Sequence, residues 1–366
     1  MLKSTFKISK THTSFQNQLY NNICEINGLT PELITSEEIL NHNINGDFFL
    51  HEPFAYQEQL YKGIISYPYK DPLDKDFDDF SFFQPPHRNV AEEDINQILY
   101  YTNPKKTINL NPDKNNSHND ITDKINADKI LRKLNIPVPN KILDPINYLL
   151  KIKQPFYAKY RRGSNKNGLH IISDLNSLMN LENFNDFLLQ EEVIVPTKNP
   201  SFVRINIDFN KITSSMLVYS NERAVQKNNF GRILLNCHGF EHQQKLNKTQ
   251  NKILNLYGGS RQIPTKLINY SKTIFNYTKK HGLHSMGIDY IFDTKKEKWL
   301  CTGDVNFAPG RIPYLMLEEA KGNTIENTTS SRAKTTAKYL SKPFYEYVNK
   351  IKNKNPNQYT FIRGFS

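Results

Sequence analysis

One stretch in the last quarter of the chain constrains the fold most. Residues 287–310, GIDYIFDTKKEKWLCTGDVNFAPG, contain two apolar runs typical of neighbouring strands, with polar side chains in or beside them. Side chains alternate between the faces of a strand, so Asp304 and Asn306 are predicted to share a face that Asp289 meets from the next strand. Carboxylate and amide oxygens suit Mg²⁺, which shares its coordination shell with substrate phosphates. The stretch predicts a magnesium site for a nucleotide, against the simpler interpretation of carboxylates in turns at a sheet edge.

Length and composition predict a protein of two or three lobes. The chain has 366 residues and is 37% hydrophobic, which is enough to fill more than one core. No apolar run approaches the roughly 20 residues that cross a bilayer, and the first residues lack the apolar stretch of a signal peptide. We therefore expect a cytoplasmic protein without a membrane partner. The three cysteines are far apart in sequence and are expected to be reduced thiols.

The net charge favours an anionic partner without identifying it. Lys and Arg number 48 against 36 Asp and Glu, which gives +12, and such a surface attracts nucleotides, acidic peptides, nucleic acid or a membrane surface. Lysine is spread along the whole chain, so a solvated surface explains most of this charge. No segment interleaves basic and aromatic residues in the manner of a nucleic-acid-binding element. Nucleic acid is therefore not an expected partner.

Local patterns predict the elements of the chain from residue 120 onward. Residues 109–120 are almost devoid of apolar side chains and form the best linker candidate. A helix follows, capped by Thr122 or Asp123 and ending near Asn135, where two prolines prevent its continuation. The runs PFYAKYRR and GLHIIS predict two strands joined by a flexible basic hairpin at 163–168. LLQEEVIVP and SFVRINIDF predict further strands, the latter half-buried.

The order of these elements and their charged residues resembles the ATP-grasp superfamily. The similarity is to the carboxylate–amine ligases typified by glutathione synthetase, D-alanine:D-alanine ligase and the ribosomal-protein glutamate ligases, and it covers about residues 120–325. It implies an α/β fold in which two α+β lobes clamp a nucleotide behind an N-terminal α/β domain. The expected units are the N-terminal substrate domain 1–120, the central lobe 121–192 with its mobile hairpin, and the C-terminal lobe 193–366 with the magnesium site and a helical tail.

The resemblance also implies roles for individual residues. The nucleotide-binding residues are expected to be two phosphate lysines, a serine of the mobile loop and the segment that reads the adenine edge: Lys124, Lys159, Ser164, Gln190, Glu191 and Val193. The catalytic residues are expected near the transferred phosphate: Arg204, Asn236 and, as a looser match, Arg223. The metal ligands are expected to be Asp289, Asp304 and Asn306, with Asp304 in place of the more frequent glutamate. Arg232 and Arg311 are candidates for holding a substrate carboxylate, because a guanidinium binds carboxylate in a bidentate manner.

The implied activity is ATP-dependent formation of an amide bond through an acylphosphate, with release of ADP and phosphate. ATP and Mg²⁺, with two ions expected and Mn²⁺ as a substitute, are the implied cofactors. The acceptor is left open among an amino acid, a small amine and a peptide, and a homodimer is compatible with the family. A non-catalytic ATP-binding regulatory module of the same fold is the alternative. Phe202 stands where the family often places an acidic ribose contact, so that contact is unassigned.

Overall fold

The structure is a computed structural model that describes residues 5–9, 14–34, 48–50, 108–109, 123–161, 169–181, 184–197, 201–220, 230–237, 245–279, 285–306 and 311–352. Its helices are α1 (Ser14–Ile26), α2 (Lys124–Lys133), α3 (Pro145–Lys151), α4 (Leu175–Met179), α5 (Lys248–Leu256), α6 (Thr265–Lys279), α7 (Ile312–Ala320) and α8 (Thr329–Lys352). Its strands are β1 (Thr5–Ser9), β2 (Thr30–Ile34), β3 (Phe48–Leu50), β4 (Ile108–Asn109), β5 (Phe156–Tyr160), β6 (Leu169–Ile172), β7 (Phe187–Glu191), β8 (Ser201–Asp208), β9 (Lys211–Ser220), β10 (Phe230–Cys237), β11 (Ser285–Asp293) and β12 (Lys298–Asn306).

Three sheets organise these elements. The N-terminal sheet has the order β2-β1-β3-β4 with parallel pairing. A three-stranded antiparallel sheet follows in the order β6-β5-β7, and a five-stranded antiparallel sheet in the order β10-β9-β8-β11-β12. The α/β fold class expected from the sequence is confirmed. None of the described helices combines the length and apolar character needed to cross a membrane.

Helix α2 forms where the sequence predicted a helix, but it packs on the larger sheet. The Asp123 carboxylate caps it by accepting the backbone N–H groups of Ile125 and Asn126. The helix ends at Lys133, and Asn135 takes a positive φ of 56° before the first proline. Its buried Ala127 and Leu131 belong to the core of the five-stranded sheet. The predicted central lobe therefore begins with a helix that is anchored in its neighbour.

The three-stranded sheet forms from the predicted hairpin strands. Strands β5 and β6 pair antiparallel, with Lys159 opposite Leu169, and β7 lies along the other side of β5. Phe156, Ala158 and Leu189 from this sheet pack with buried residues of α3 and α4. The antiparallel pairing of the two strands is as predicted, and the connecting residues 163–168 lie outside the described residues.

The five-stranded sheet buries one face against α2, α5 and α6. Val203, Ile205 and Ile207 alternate along β8 into this core, where Leu267 and Ile274 of α6 meet them. Helix α6 forms where Leu267, Tyr270, Ile274 and Tyr277 recur at helical spacing. The three cysteines are free and buried, as expected.

A second core joins the two ends of the chain. Phe15, Leu19 and Ile23 of α1 pack with buried residues of α7 and α8, and Phe209 and Leu234 of the five-stranded sheet share this cluster. The N-terminal helix is therefore built into the C-terminal lobe. The bounds of the three expected units stay predictions.

Candidate active site

One face of the five-stranded sheet carries the charged residues of the candidate site. Because Val203 and Ile205 point into the core, Arg204 between them points to the opposite face. On β11 the core residues are Ile288 and Tyr290, so Asp289 between them shares the face of Arg204. These two positions are paired in the register of the antiparallel strands. A guanidinium and a carboxylate are thereby held opposite each other.

Arg204 binds Asp289 through two parallel hydrogen bonds. Its Nε donates to Oδ1 and its Nη2 donates to Oδ2, both at 2.7 Å. The Asp289 side chain is 9% exposed and that of Arg204 is 23% exposed, so water screens the pair only in part. The Arg204 guanidinium also lies 5.5 Å from the centre of the Phe202 ring, which favours a cation over its face. The predicted metal ligand Asp289 thus has an arginine as its partner.

Arg232 extends the positive charge of this face along the sheet. It lies on β10, opposite Val218 of β9, and neighbouring Ile233 faces the core. Burial lowers the pKa of Arg232, and the positive charge of Arg204 lowers it further. Like charges that lower each other's pKa repel, and an anion bound beside them relieves that repulsion. The two arginines therefore favour an anionic ligand on this face.

A lysine from the smaller sheet reaches strand β12 of the larger one. The Lys159 Nζ donates a hydrogen bond of 2.9 Å to the Thr302 carbonyl oxygen. Between Ile288–Val305 and Tyr290–Cys301 the register of β11 and β12 shifts, which bulges β12 there. Gly303 in this bulge has a φ of +80°, a conformation that glycine adopts without strain. Asp304 is two residues from Thr302, and two residues span at most about 7 Å, so the Lys159 amine lies within about 10 Å of the Asp304 backbone.

Of the three predicted metal ligands, Asp289 has a described side chain, which lies on this sheet face. Asp289 offers two carboxylate oxygens, and backbone register places Asn306 opposite Gly287 on the neighbouring strand. Oxygen ligands of this type suit Mg²⁺ or Mn²⁺. For Asp304 and Asn306 the structure describes the backbone alone. Within the described ranges, no group of three or more His, Cys, Asp or Glu side chains gathers around a metal-sized space.

The predicted adenine segment runs along the edge of β7. The Glu191 carboxylate accepts a 2.8 Å hydrogen bond from Asn140 Nδ2. It also forms an ion pair, at 3.0 Å, with Lys296 in the β11–β12 turn. Gln190 is buried, and its Nε2 donates to Asp128 Oδ1 at 3.2 Å. The buried Gln190 Oε1 has no hydrogen-bond partner within the described ranges, which leaves an acceptor unsatisfied in the segment. Val193 follows the strand in an extended segment and is half-buried.

Lys124 lies at the first turn of α2, beside a separate ion-pair cluster. Its backbone N–H donates to the Arg161 carbonyl oxygen at 2.8 Å, which ties the start of α2 to the end of β5. The Arg161 Nε in turn bonds the helix-capping carboxylate of Asp123 at 2.6 Å. Burial opposes the charge of Arg161, but the Asp123 carboxylate raises its pKa overall. Both predicted phosphate lysines are thus carried by elements that meet at residue 161.

Two other predicted residues have different surroundings. Asn236 lies exposed on β10, beside the irregular pairing at Leu234. Arg311 precedes α7, and its Nη1 donates to the buried Asp208 Oδ1 at 2.8 Å. Burial alone lowers the pKa of Arg311, yet Asp208 and nearby tyrosines raise it overall. A role for Arg311 in holding a substrate carboxylate stays a prediction. Ser164 and Arg223 lie outside the described residues.

Two residues of this region were not predicted from the sequence. Asp208 accepts from Arg311, Tyr314 and Thr213, and the polar alternation Arg204, Asn206, Asp208 along a strand would have indicated it. Lys296 is 105 residues from its partner Glu191, so no local pattern could have revealed this pair.

The fold and site together define an α/β protein with a charged site between two antiparallel sheets. No family model matches the sequence, and no curated protein matches it. Among solved structures, D-alanyl-alanine synthetase A from Vibrio cholerae is similar at 11% identity over 93% of this chain and 99% of its own, with a TM-score of 0.49. A RiPP-associated ATP-grasp ligase from Chryseobacterium gregarium, in complex with ADP and a leader and core peptide, is 11% identical over 93% and 97% of the chains, with a TM-score of 0.49.

A RimK domain ATP-grasp protein from Sphaerobacter thermophilus is 10% identical over 92% of this chain and 99% of its own, with a TM-score of 0.46. The solved structures similar to this chain thus include the ATP-grasp class that its sequence motifs resemble. Identities near 11% with TM-scores below 0.5 leave the function to be inferred from the residues of the chain itself.

Proposed function

We propose that this protein is an ATP-dependent ligase of the ATP-grasp type that joins a carboxylate to an amine through an acylphosphate. The contact that carries the proposal is the 2.9 Å hydrogen bond between Lys159 Nζ and the Thr302 carbonyl. It brings a cation of the smaller sheet to the bulged strand of the larger sheet, beside the Arg204–Asp289 pair. A polyphosphate clamped between two lobes needs cations on one side and oxygen ligands for a metal on the other.

The reaction requires activation of the carboxylate, because oxide is a poor leaving group. A carboxylate oxygen attacks the γ-phosphorus of ATP, the bond to the β,γ-bridging oxygen breaks, and ADP departs with that electron pair. The amine nitrogen then attacks the acyl carbon, phosphate leaves from the tetrahedral intermediate, and the nitrogen loses a proton. Neither step needs a side-chain nucleophile, so the work of the protein is positioning and electrostatic stabilisation.

Each charged residue has a role in this scheme. Lys124 and Lys159 bind phosphate oxygens. For Lys159, a phosphate oxygen replaces the Thr302 carbonyl oxygen as the hydrogen-bond acceptor. Arg204 and Arg232 stabilise negative charge on the transferred phosphoryl group and the substrate carboxylate. Asn236, which is exposed and lies on β10 together with Arg232, donates to the same group.

Asp289, Asp304 and Asn306 are the proposed metal ligands, and Mg²⁺ held by them would offset negative charge on the phosphates. Gln190, Glu191 and Val193 form the proposed adenine segment. Because the Glu191 carboxylate is already bonded to Asn140 and Lys296, we assign recognition of the adenine edge to the backbone at 191–193. Gln190 Oε1 is buried without a hydrogen-bond partner among the described residues, which supports a polar ligand group close to this strand.

A screen for ADP formation tests the proposal. Purified protein with ATP and Mg²⁺ is incubated with single amino acids, with small peptides and with their pairs, while product mass is read in parallel. We expect ADP and a product lighter by one water than its two precursors. Asp304→Ala should abolish turnover. ATP binding without ADP formation across the whole screen would favour the non-catalytic regulatory module instead.

The acceptor class is a further outcome of the same screen. A mass gain on a peptide, in the absence of any gain on free amino acids, would identify a peptide-modifying ligase. A cytoplasmic location and a homodimer stay predictions, and size-exclusion chromatography with light scattering would test the second of them.

A further inference from the structure

The Arg204–Asp289 pair occupies the carboxylate that the proposed function assigns to a metal. Both Asp289 oxygens accept from the guanidinium at 2.7 Å, and the side chain is 9% exposed. A bidentate pair of this geometry is among the strong hydrogen-bonded ion pairs. The carboxylate is therefore neutralised before any ligand arrives.

A divalent cation and a guanidinium oppose each other at this carboxylate. A cation bound to either Asp289 oxygen would stand a few ångströms from the positive charge of Arg204, in a partly buried site where repulsion is weakly screened. Arg232 adds further positive charge to the same sheet face. Cation binding is thus disfavoured unless the guanidinium turns to another anion.

We propose that the Arg204 guanidinium prevents cation binding at Asp289, so that the protein binds its divalent cation only when nucleotide phosphates draw the guanidinium away. This inference rests on the proposed function. The phosphates would satisfy Arg204 and Arg232 together, and Asp289 would then be available to the cation. Bound nucleotide therefore raises the affinity of the protein for the metal ion. Without nucleotide, Mg²⁺ does not bind at Asp289.

Direct binding of Mn²⁺ to the nucleotide-free protein tests this coupling. Free Mn²⁺ is measured by electron paramagnetic resonance during titration of wild type, Arg204→Gln and Arg232→Gln. We expect Arg204→Gln to bind Mn²⁺ about tenfold or more tightly than wild type, because the competing charge is removed from the carboxylate. Arg232→Gln is the matched control, since it removes one charge from the same sheet face and leaves Arg204 and Asp289 in place, and its Mn²⁺ affinity should rise about threefold at most.

Equal Mn²⁺ affinity in wild type and Arg204→Gln would overturn the inference. An equal increase in Mn²⁺ affinity in Arg204→Gln and Arg232→Gln would also overturn it. Circular dichroism checks that each variant is folded.

A second measurement follows the wild-type protein and uses the Arg204→Lys variant only to assign one resonance. The Arg204 Nε–H resonance, assigned in arginine-labelled protein by its loss in Arg204→Lys, should shift when AMP-PNP is added in EDTA. An unchanged resonance at saturating AMP-PNP would refute the proposal that nucleotide draws Arg204 away from Asp289, while leaving the ligase proposal intact. Failure of AMP-PNP to bind at all, even with Mg²⁺, would instead refute the proposed function.

Discussion

Replacing Glu318 with glutamine should loosen the two carboxyl-terminal helices from each other. Glu318 lies buried on α7 and accepts hydrogen bonds from Tyr339 and Lys338 of α8, and from Lys321 and Asn323 just after α7. Burial opposes its charge, but the hydrogen bonds from Tyr339, Lys321, Asn323 and Lys338 lower its pKa from 4.5 to about 2. Glutamine fills the same space without the charge.

The lowered pKa sets the size of the effect. Each tenfold change in proton affinity is worth about 1.4 kcal/mol, so the charged carboxylate stabilises the fold by about 3 kcal/mol at neutral pH. The folded protein binds this proton more weakly than the unfolded chain. The stabilisation is therefore complete above about pH 5 and is lost as the pH falls towards about 2.

Urea unfolding followed by far-ultraviolet circular dichroism measures this dependence. At pH 7 the variant should be less stable than wild type by about 3 kcal/mol, and the difference should narrow by about 2 kcal/mol at pH 3. Lys338→Met is the control, because its side chain is 61% exposed and its ion pair is worth about 1 kcal/mol at most. A difference below about 1 kcal/mol at pH 7, or one that is the same at both pH values, would refute the reasoning.

Three further predictions concern the site and the cores. Lys159→Met should weaken ATP binding about 10- to 100-fold by calorimetry, because one charge-assisted contact is lost; the exposed Lys151→Met on α3 is the control, and equal affinities would contradict the assigned role. Gly303→Ala should destabilise the protein by about 1 kcal/mol in thermal unfolding, since alanine is strained at a φ of +80°, and an unchanged melting temperature would argue against the bulge. Burial raises the pKa of Cys24 and of Cys237 to about 12, so both should stay unreactive to a disulfide reagent at pH 8 and react only on unfolding; rapid reaction of the native protein would contradict this.

The sequence was sufficient where local periodicity and capping decide structure. The helix from Lys124, the strands β5 and β8, and the strand pair β11–β12 all follow from patterns within a few residues. Long-range pairs were beyond it. The partner of Asp289 is Arg204, 85 residues away, and the Arg311–Asp208 pair spans 103 residues. The sequence predicted Arg204, Asp289 and Arg311 as site residues, but only the folded sheet shows which charge neutralises which.

Among the described residues, both backbone hydrogen bonds and side-chain contacts join the two antiparallel sheets. Backbone hydrogen bonds join Cys301 N–H to the Pro137 carbonyl at 2.7 Å and Thr294 N–H to the Ile194 carbonyl at 2.7 Å. Residues 137 and 194 flank the segment that contains the three-stranded sheet, so these bonds fix the base of that lobe.

Farther along the sheets, side chains make the contacts. The Lys296–Glu191 pair is about 30% exposed on both sides, and such pairs cost little to break. The Lys159–Thr302 bond holds the lysine at the bulge, but a phosphate would be a stronger acceptor for its ammonium than a carbonyl oxygen. Under the proposed function, a polyphosphate would replace the Thr302 carbonyl as the acceptor for Lys159, while the backbone hydrogen bonds keep the base of the two sheets joined.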